Sequence, residues 1–379
     1  MNSTTGLRRI GTVLLTGGAG FIGCHVARAL LERGYTVRVL DNLLEQVHRA
    51  ETRRNPVLRD VELIKGDIRD LDAVASVLQG VDKIIHLAAE VGVGQSMYAI
   101  DRYVSVNDRG TAILFQALTE RPVERVVVAS SMSIYGEGLY ENAAGQPVED
   151  VLRPFRYCVA GGWNPADADG EALVPVPTPE WKRPNLMSVY ALTKYVQERL
   201  TLTLCPVYGM EGVGLRLFNV FGPGQALSNP YTGVLAIFAS RLLNGKSPLI
   251  FEDGEQRRDF VHVDDAASAF ILALERPDAA GEVFNIGSGC DRSISNVARD
   301  LAEAMGRSSL LPELIGKARV GDIRHCFADI THARQRLGYE PRRNWADSLA
   351  ELAEWVAGQG AVDRVVEAKR ELEVRGLVA

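Results

Sequence analysis

The sequence is poor in the features that tie a chain to a special environment. Its five cysteines, Cys24, Cys158, Cys205, Cys290 and Cys326, are scattered with no CxxC pair. That spacing excludes a disulfide framework and a thiolate zinc site, and it fits a reducing cytoplasm. The six histidines show neither an HExxH motif nor paired spacing, so no protein-held metal is expected. There is no basic excess: 42 Lys and Arg against 48 Asp and Glu leave a net charge of -6. An acidic balance argues against nucleic acid or an anionic membrane as the main partner. Long apolar runs are missing too, and none approaches the roughly 18 residues of a membrane span. Arg8-Arg9 ahead of the run 10–15 superficially resembles a secretion signal. That run is too short and passes straight into a glycine-rich turn, so it reads as a strand.

At 379 residues, 46% hydrophobic and 24% charged, the chain can build a sizeable core in one large domain or two joined ones. Apolar β-type runs at 12–16, 36–40, 61–65, 83–87 and 125–129 alternate with helical patterns at 20–33, 71–78 and 96–120. Short, continuously apolar strands between helices predict an α/β fold, a doubly wound parallel sheet covered on both faces. Ligands of such a sheet bind at the carboxyl ends of its strands. Residues 137–185, rich in Pro and Gly, break the rhythm and read equally as a pocket lid or a passive insertion. Further helices are expected at 188–204, 231–244, 264–275, 293–305 and 347–357, and strands at 212–219 and 282–286. The charged stretch from Ala361 reads as a surface helix or a frayed tail.

The segment VLLTGGAGFIG places Gly18, Gly20 and Gly23 in GxGxxG spacing, and Gly17, Gly20 and Gly23 in GxxGxxG spacing. It lies where a strand ends and a helix begins. Glycines there allow a tight turn and let the backbone approach a pyrophosphate, which the helix N-terminus attracts. Asp41 ends the next strand, where a carboxylate accepts ribose hydroxyls and repels a 2′-phosphate. With Asn42 beside it and no adjacent arginine, Asp41 favours NAD over NADP. Asp67 and Ile68 in KGDIRD are candidates to frame the adenine, and Leu87, Ala88 and Ala89 in HLAAEVG to let a cofactor pass closely. His86 reads as a packed strand-end residue rather than a base.

SVYALTK carries Tyr190 and Lys194 at i and i+4, on one face of a predicted helix. A phenol titrates near 10, so about one in a thousand is ionised at pH 7. A neighbouring ammonium and a positive nicotinamide ring are expected to favour the phenolate. Tyr190 would then take a carbinol proton as the hydride leaves for the cofactor.

Together, TGGAGFIG, GDIRD, HLAA, SSMSIYG, YALTK, RLFNVFGPGQ and RRDFVHVDD resemble the extended short-chain dehydrogenase/reductases of the nucleotide-sugar epimerase and dehydratase family. The resemblance covers nearly the whole chain, with the insertion at 137–185 as its main departure. It implies a catalytic set of Ser131, Tyr190 and Lys194, with Lys194 also on the nicotinamide ribose. Phe21, Ile22 and Asn107 would lie near the cofactor. Asn219, Arg258 and Arg319 would meet a nucleotide diphosphate, with Arg257 the competing candidate for the place of Arg258, and Asp322 the nucleotide ribose. Cys326 falls where some hexose epimerases hold a tyrosine, which implies a roomier sugar pocket. Tyr135 reads equally as pocket lining or strand-end packing.

The resemblance also implies a Rossmann NAD-binding domain over 1–218 with a return segment about 261–290. A smaller mixed α/β domain, 219–260 and 291–379, would bind the substrate. Family dehydratases place Asp-Glu after the catalytic serine or threonine, and decarboxylases commonly keep a Glu there. Here those positions are Met132 and Ser133, neither of which exchanges a proton usefully near neutral pH. Elimination therefore lacks its acid and base, and Ser133 is left as a hydrogen-bond donor. The expected reaction is C4 epimerisation of a dTDP- or UDP-sugar, with decarboxylation or 4-ketoreduction as the alternative. Relatives are often homodimers pairing the helices at 96–120 and 188–204, and the same is expected here.

Overall fold

The computed structural model describes residues 10–48, 55–153, 155, 158, 162–229, 231 and 233–378. Arg8 and Arg9 lie outside them. The first part runs β1 (Thr12–Thr16), α1 (Phe21–Glu32), β2 (Thr36–Asp41), β3 (Glu62–Lys65), α2 (Leu71–Val77) and β4 (Lys83–His86). It continues through α3 (Val93–Ser96), α4 (Ile100–Tyr103) and α5 (Gly110–Glu120) to β5 (Arg125–Ser131). An insertion carries β6 (Leu139–Glu141), β7 (Pro147–Val148) and β8 (Val174–Val176), after which α6 (Val189–Val207) and β9 (Glu211–Leu217) return to the sheet. Then come β10 (Asn219–Phe221), α7 (Val234–Leu243), β11 (Leu249–Ile250), β12 (Arg257–His262), α8 (Val263–Glu275) and β13 (Val283–Ile286). The chain closes with β14 (Asp291–Ser293), α9 (Ile294–Ala304), β15 (Glu313–Leu314), β16 (His325–Cys326), α10 (Thr331–Leu337), α11 (Trp345–Ala357) and α12 (Val365–Val374).

Seven parallel strands form the main sheet in the order β13-β9-β5-β4-β1-β2-β3. Every residue of β5 is buried, as a central strand covered by helices on both faces requires. From β1 the chain winds outward to β2 and β3, then crosses to β4 on the other side. The two directions part between β1 and β4, which opens a crevice at the carboxyl ends of those strands. A second apolar core joins α7, α9 and α11 through residues such as Phe238, Leu301 and Leu352. Among the described residues, no helix is long and apolar enough to cross a membrane.

The helix expected at 96–120 is broken. Its middle is a wide π-turn over Val104–Arg109, and α5 restarts at Gly110. There, a Cβ would stand 2.6 Å from the Ile68 side chain, so only glycine fits. The insertion is not structureless either: β7, β6 and β8 form an antiparallel sheet.

Candidate active site

A cleft of about 630 Å³ runs along the carboxyl ends of β1 and β4 and on toward β12 and α12. On one wall, Gly17 turns the chain with φ +69°, and a Cβ there would stand 2.7 Å from the Ala88 backbone nitrogen. Gly23 packs its helix against Gly18, where a Cβ would meet the backbone oxygen at 2.5 Å. Gly20 caps α1 without any side-chain hydrogen bond, and no acidic residue occupies the first turn. The N–H groups at that end of the helix are thus left to an anion. Asp41, at the end of β2, accepts the Ala19 N–H at 3.1 Å and the Leu43 N–H at 2.8 Å. His48, which the sequence reading missed, sits 3.1 Å from the same carboxylate.

Deeper in the cleft lie Ser131, Tyr190 and Lys194, all buried. Ser131 ends β5, and its Oγ accepts the Ser133 N–H at 3.2 Å, starting a short 3₁₀ turn. Its side chain is close enough to the Tyr190 phenol to influence its titration. Burial pushes the Tyr190 pKa up, and Ser131 pulls against that rise. Lys194 is not among the groups lowering Tyr190. Burial brings its own pKa down to about 7, opposed by the carboxylate of Glu198, and its Nζ donates to Gln197 Oε1 at 2.7 Å. Burial thus disfavours the charged form of both residues, whereas the spacing alone suggested a phenolate favoured by the ammonium.

Gln197 anchors that lysine to the sheet. Its Nε2 donates to Thr111 Oγ1 at 2.9 Å and to the Ala88 carbonyl at 3.2 Å. His86 packs within the same cluster, 2.6 Å from Thr16 Oγ1, and burial lowers its pKa to about 3. It is the packed strand-end residue that its place in the sequence suggested. Behind the site, Glu198 pairs with Arg216 at 2.7 Å and accepts the Ser130 hydroxyl at 2.6 Å, fixing α6 on β5 and β9. Arg216 also donates to the Tyr135 hydroxyl at 2.8 Å, so Tyr135 is a packing residue of the core.

Most of the expected residues meet in this one cleft: Gly17, Gly20, Phe21, Ile22, Gly23, Asp41, Asn42, Ile68, Leu87, Ala88 and Ala89 on the first wall, then Ser131, Ser133, Tyr190 and Lys194. Asn219, Arg258, Arg319 and Asp322 line its far end. Three expected residues do not line it. Asp67 is gripped by Arg69, at 2.8 Å to one oxygen and 2.7 Å to the other, which holds its carboxyl down at about 2. Asn107 is fully buried and donates to the Glu90 carbonyl at 3.1 Å and to Thr193 Oγ1 at 2.9 Å, tying α6 to the loop after β4. Cys326 turns its Sγ toward Thr178 Oγ1 at 3.9 Å and belongs to the core beneath the insertion.

At the far end, Arg258 donates to the backbone carbonyls of Arg257 and Arg324 at 2.9 and 2.8 Å, and of Ile323 at 2.5 Å. Arg319 is held by Asp322 at 2.8 and 3.0 Å, over the ring of Phe251. Leu249, Ile250 and Phe251 line the cleft and were missed, although an apolar run before EDGEQRRDF was visible. The insertion contributes none of its described residues to the lining. Instead, Arg153 pairs with Glu137 at 3.1 Å and Glu252 at 2.6 Å, and Arg324 with Glu252 at 3.0 Å and Asp253 at 2.6 Å. Glu137 also accepts the Arg324 N–H at 2.7 Å. This buried network braces the loop that carries Arg319 and the carbonyls that hold Arg258, so the insertion is a buttress rather than a lid.

His262, Asp264 and Glu351 bring ligand-type atoms within 4.8 Å of one another. The Asp264 N–H donates to His262 Nδ1 at 3.2 Å, which leaves the proton on Nε2, and Arg343 pairs with Glu351. That arrangement is an ion-pair corner rather than a cation site.

Residues 13–160 and 166–287 match the NAD dependent epimerase/dehydratase family. The chain belongs to that family. It is 37% identical over 350 residues to the dTDP-L-rhamnose 4-epimerase of Burkholderia thailandensis, covering 91% of this chain and 94% of that one. Its structure is similar to a UDP-glucose 4-epimerase of Thermotoga maritima solved with UDP-glucose, at a TM-score of 0.73 and 30% identity over 91% of this chain and 98% of that one. The UDP-glucose 4-epimerase of Thermus thermophilus in complex with NAD is similar at a TM-score of 0.71 and 28% identity, covering 92% and 100%.

Proposed function

We propose that this protein is an NAD-dependent nucleotide-diphosphate-sugar 4-epimerase. The observation that carries the reading is the convergence of Ser131, Tyr190 and Lys194 with a helix N-terminus open to an anion and an acidic strand end, all in one cleft. The residues fit the cofactor. The uncapped end of α1 suits a pyrophosphate, and Asp41 suits the hydroxyls of an unphosphorylated ribose. Lys194 would hold the nicotinamide ribose. When bound, NAD supplies the oxidant that accepts a hydride from sugar C4 and the reductant that returns it to the other face.

The chain's own residues do the rest. Tyr190 takes the proton of the C4 hydroxyl and later gives it back, and Ser131 hydrogen-bonds the reacting oxygen. Ser133 donates to the sugar. Arg258 and Arg319 hold the diphosphate, with Asn219 beside them and Asp322 toward the nucleotide ribose, so that the sugar turns while its anchor stays. Met132 and Ser133 offer neither acid nor base for elimination, which favours epimerisation over the family's dehydratase chemistry.

In this reading 1–218 with 261–290 hold the cofactor, and 219–260 with 291–379 hold the substrate. The similarity to a dTDP-L-rhamnose 4-epimerase supports a dTDP-linked 6-deoxyhexose as the first substrate to test. A cytoplasmic location is in keeping with five free cysteines. Exposed Ile100 and Val104 near α4, and Leu192 on α6, support a homodimer paired through those helices. The purified protein, given dTDP- and UDP-sugars without added cofactor, should interconvert C4 epimers by NMR with no net NADH. Net consumption or release of NADH, or loss of carbon dioxide from a uronic acid, would establish the reductase or decarboxylase reading instead.

A further inference from the structure

The charged tail beyond Ala361 is not a frayed end: it builds α12, and α12 walls the far end of the cleft. Val365, Ala368, Lys369 and Leu372 line the cleft as one stripe at i, i+3, i+4 and i+7. On the cofactor side, a Leu372 methyl lies 3.6 Å from where a Cβ on Gly94 would sit. Arg375 stacks 4.5 Å from the centre of the Tyr98 ring. On the substrate side, Lys317 Nζ is 2.9 Å from Glu373 Oε1. Past the helix, the Val320 N–H donates to the Leu377 carbonyl at 2.9 Å, and Arg319 bridges Val378. The segment 365–378 thus spans the cleft from wall to wall and is hydrogen-bonded at the residues that carry Arg319.

Charge bookkeeping singles out Lys369. Arg319 is matched by Asp322 in a two-point pair, which leaves little net charge there. Lys369 Nζ stands 3.7 Å from the same Glu373 oxygen that Lys317 holds. Two lysines share one carboxylate, so this corner keeps a positive charge of one. Its member among the cleft-lining residues is Lys369, in the same cleft that Arg258 and Arg319 line.

We infer that Lys369 is a binding residue for the diphosphate of the nucleotide sugar, presented by a C-terminal helix that forms the outer wall of the site. This rests on the function proposed above. The test is calorimetric titration of the full-length, NAD-loaded enzyme with dTDP and with UDP. Lys369→Ala should weaken the diphosphate that the wild type binds by about three- to tenfold, as expected for a partly exposed charge. Lys369→Glu should weaken it further, and Lys369→Arg should restore it. The dependence of Kd on salt should flatten in Lys369→Ala, with NAD content and Tm unchanged. Unaltered Kd and salt slope in both Lys369→Ala and Lys369→Glu would overturn the inference while leaving the epimerase reading intact. A wild-type enzyme that bound neither diphosphate would overturn that reading, and the inference with it.

Discussion

On the cofactor side of the cleft, backbone passes so close to backbone that a single methyl at Gly17 or Gly23 would collide within 2.7 Å. On the substrate side, an apolar lining from Leu249, Ile250, Phe251 and α12 carries a few long charged side chains from β12, the loop at 319–324 and α12, held by ion pairs and carbonyls. The first side works through atoms that are absent, and the second through charges that are present. A steric change should therefore disable the first and a change of charge the second. Each side should be indifferent to the other's perturbation.

The largest effect is expected at Gly17. Gly17→Val forces a branched side chain onto φ +69° and against Ala88, so the protein should purify without NAD and be inactive. Absorbance of the released nucleotide checks this, and full NAD occupancy would contradict the steric account. Tyr190→Phe comes next: turnover should fall by about 10²- to 10⁴-fold while NAD stays bound, because only the proton acceptor is lost. Arg258→Met should raise KM for the nucleotide sugar by about 10- to 100-fold, with a smaller change in kcat and none in NAD content. A fall in kcat at constant KM would show that Arg258 acts on the reacting end rather than on the anchor.

The same contrast explains what the sequence disclosed. The glycine turn, Asp41 and the Tyr190–Lys194 pair are local patterns, each set by one strand end or one helix turn, and they converge as spacing implied. At Asp67 the sequence did not disclose that Arg69, two residues on, pairs with its carboxylate. At Asn107 the expected straight helix contains a π-turn, and the side chain is buried against Glu90 and Thr193. Cys326 sits at the expected place along the chain, but which residue its side chain meets depends on a segment distant in sequence, and here it lies against Thr178 of the insertion. The buttress joins residues 137, 153, 252, 253 and 324, a set that no local window contains. The last helix hid behind its charge, since only Ala368 and Leu372 of its ten residues are buried.

The central claim is that oxidation and re-reduction occur at C4 of one bound sugar, with Tyr190 handling the proton. It is tested most directly with a nucleotide sugar deuterated at C4, turned over by the enzyme as purified. The account predicts that both epimers keep their deuterium at C4, and that none enters C3, C4 or C5 when the unlabelled sugar reacts in deuterated water. Loss of the C4 label to solvent, or solvent deuterium at C5, would contradict it.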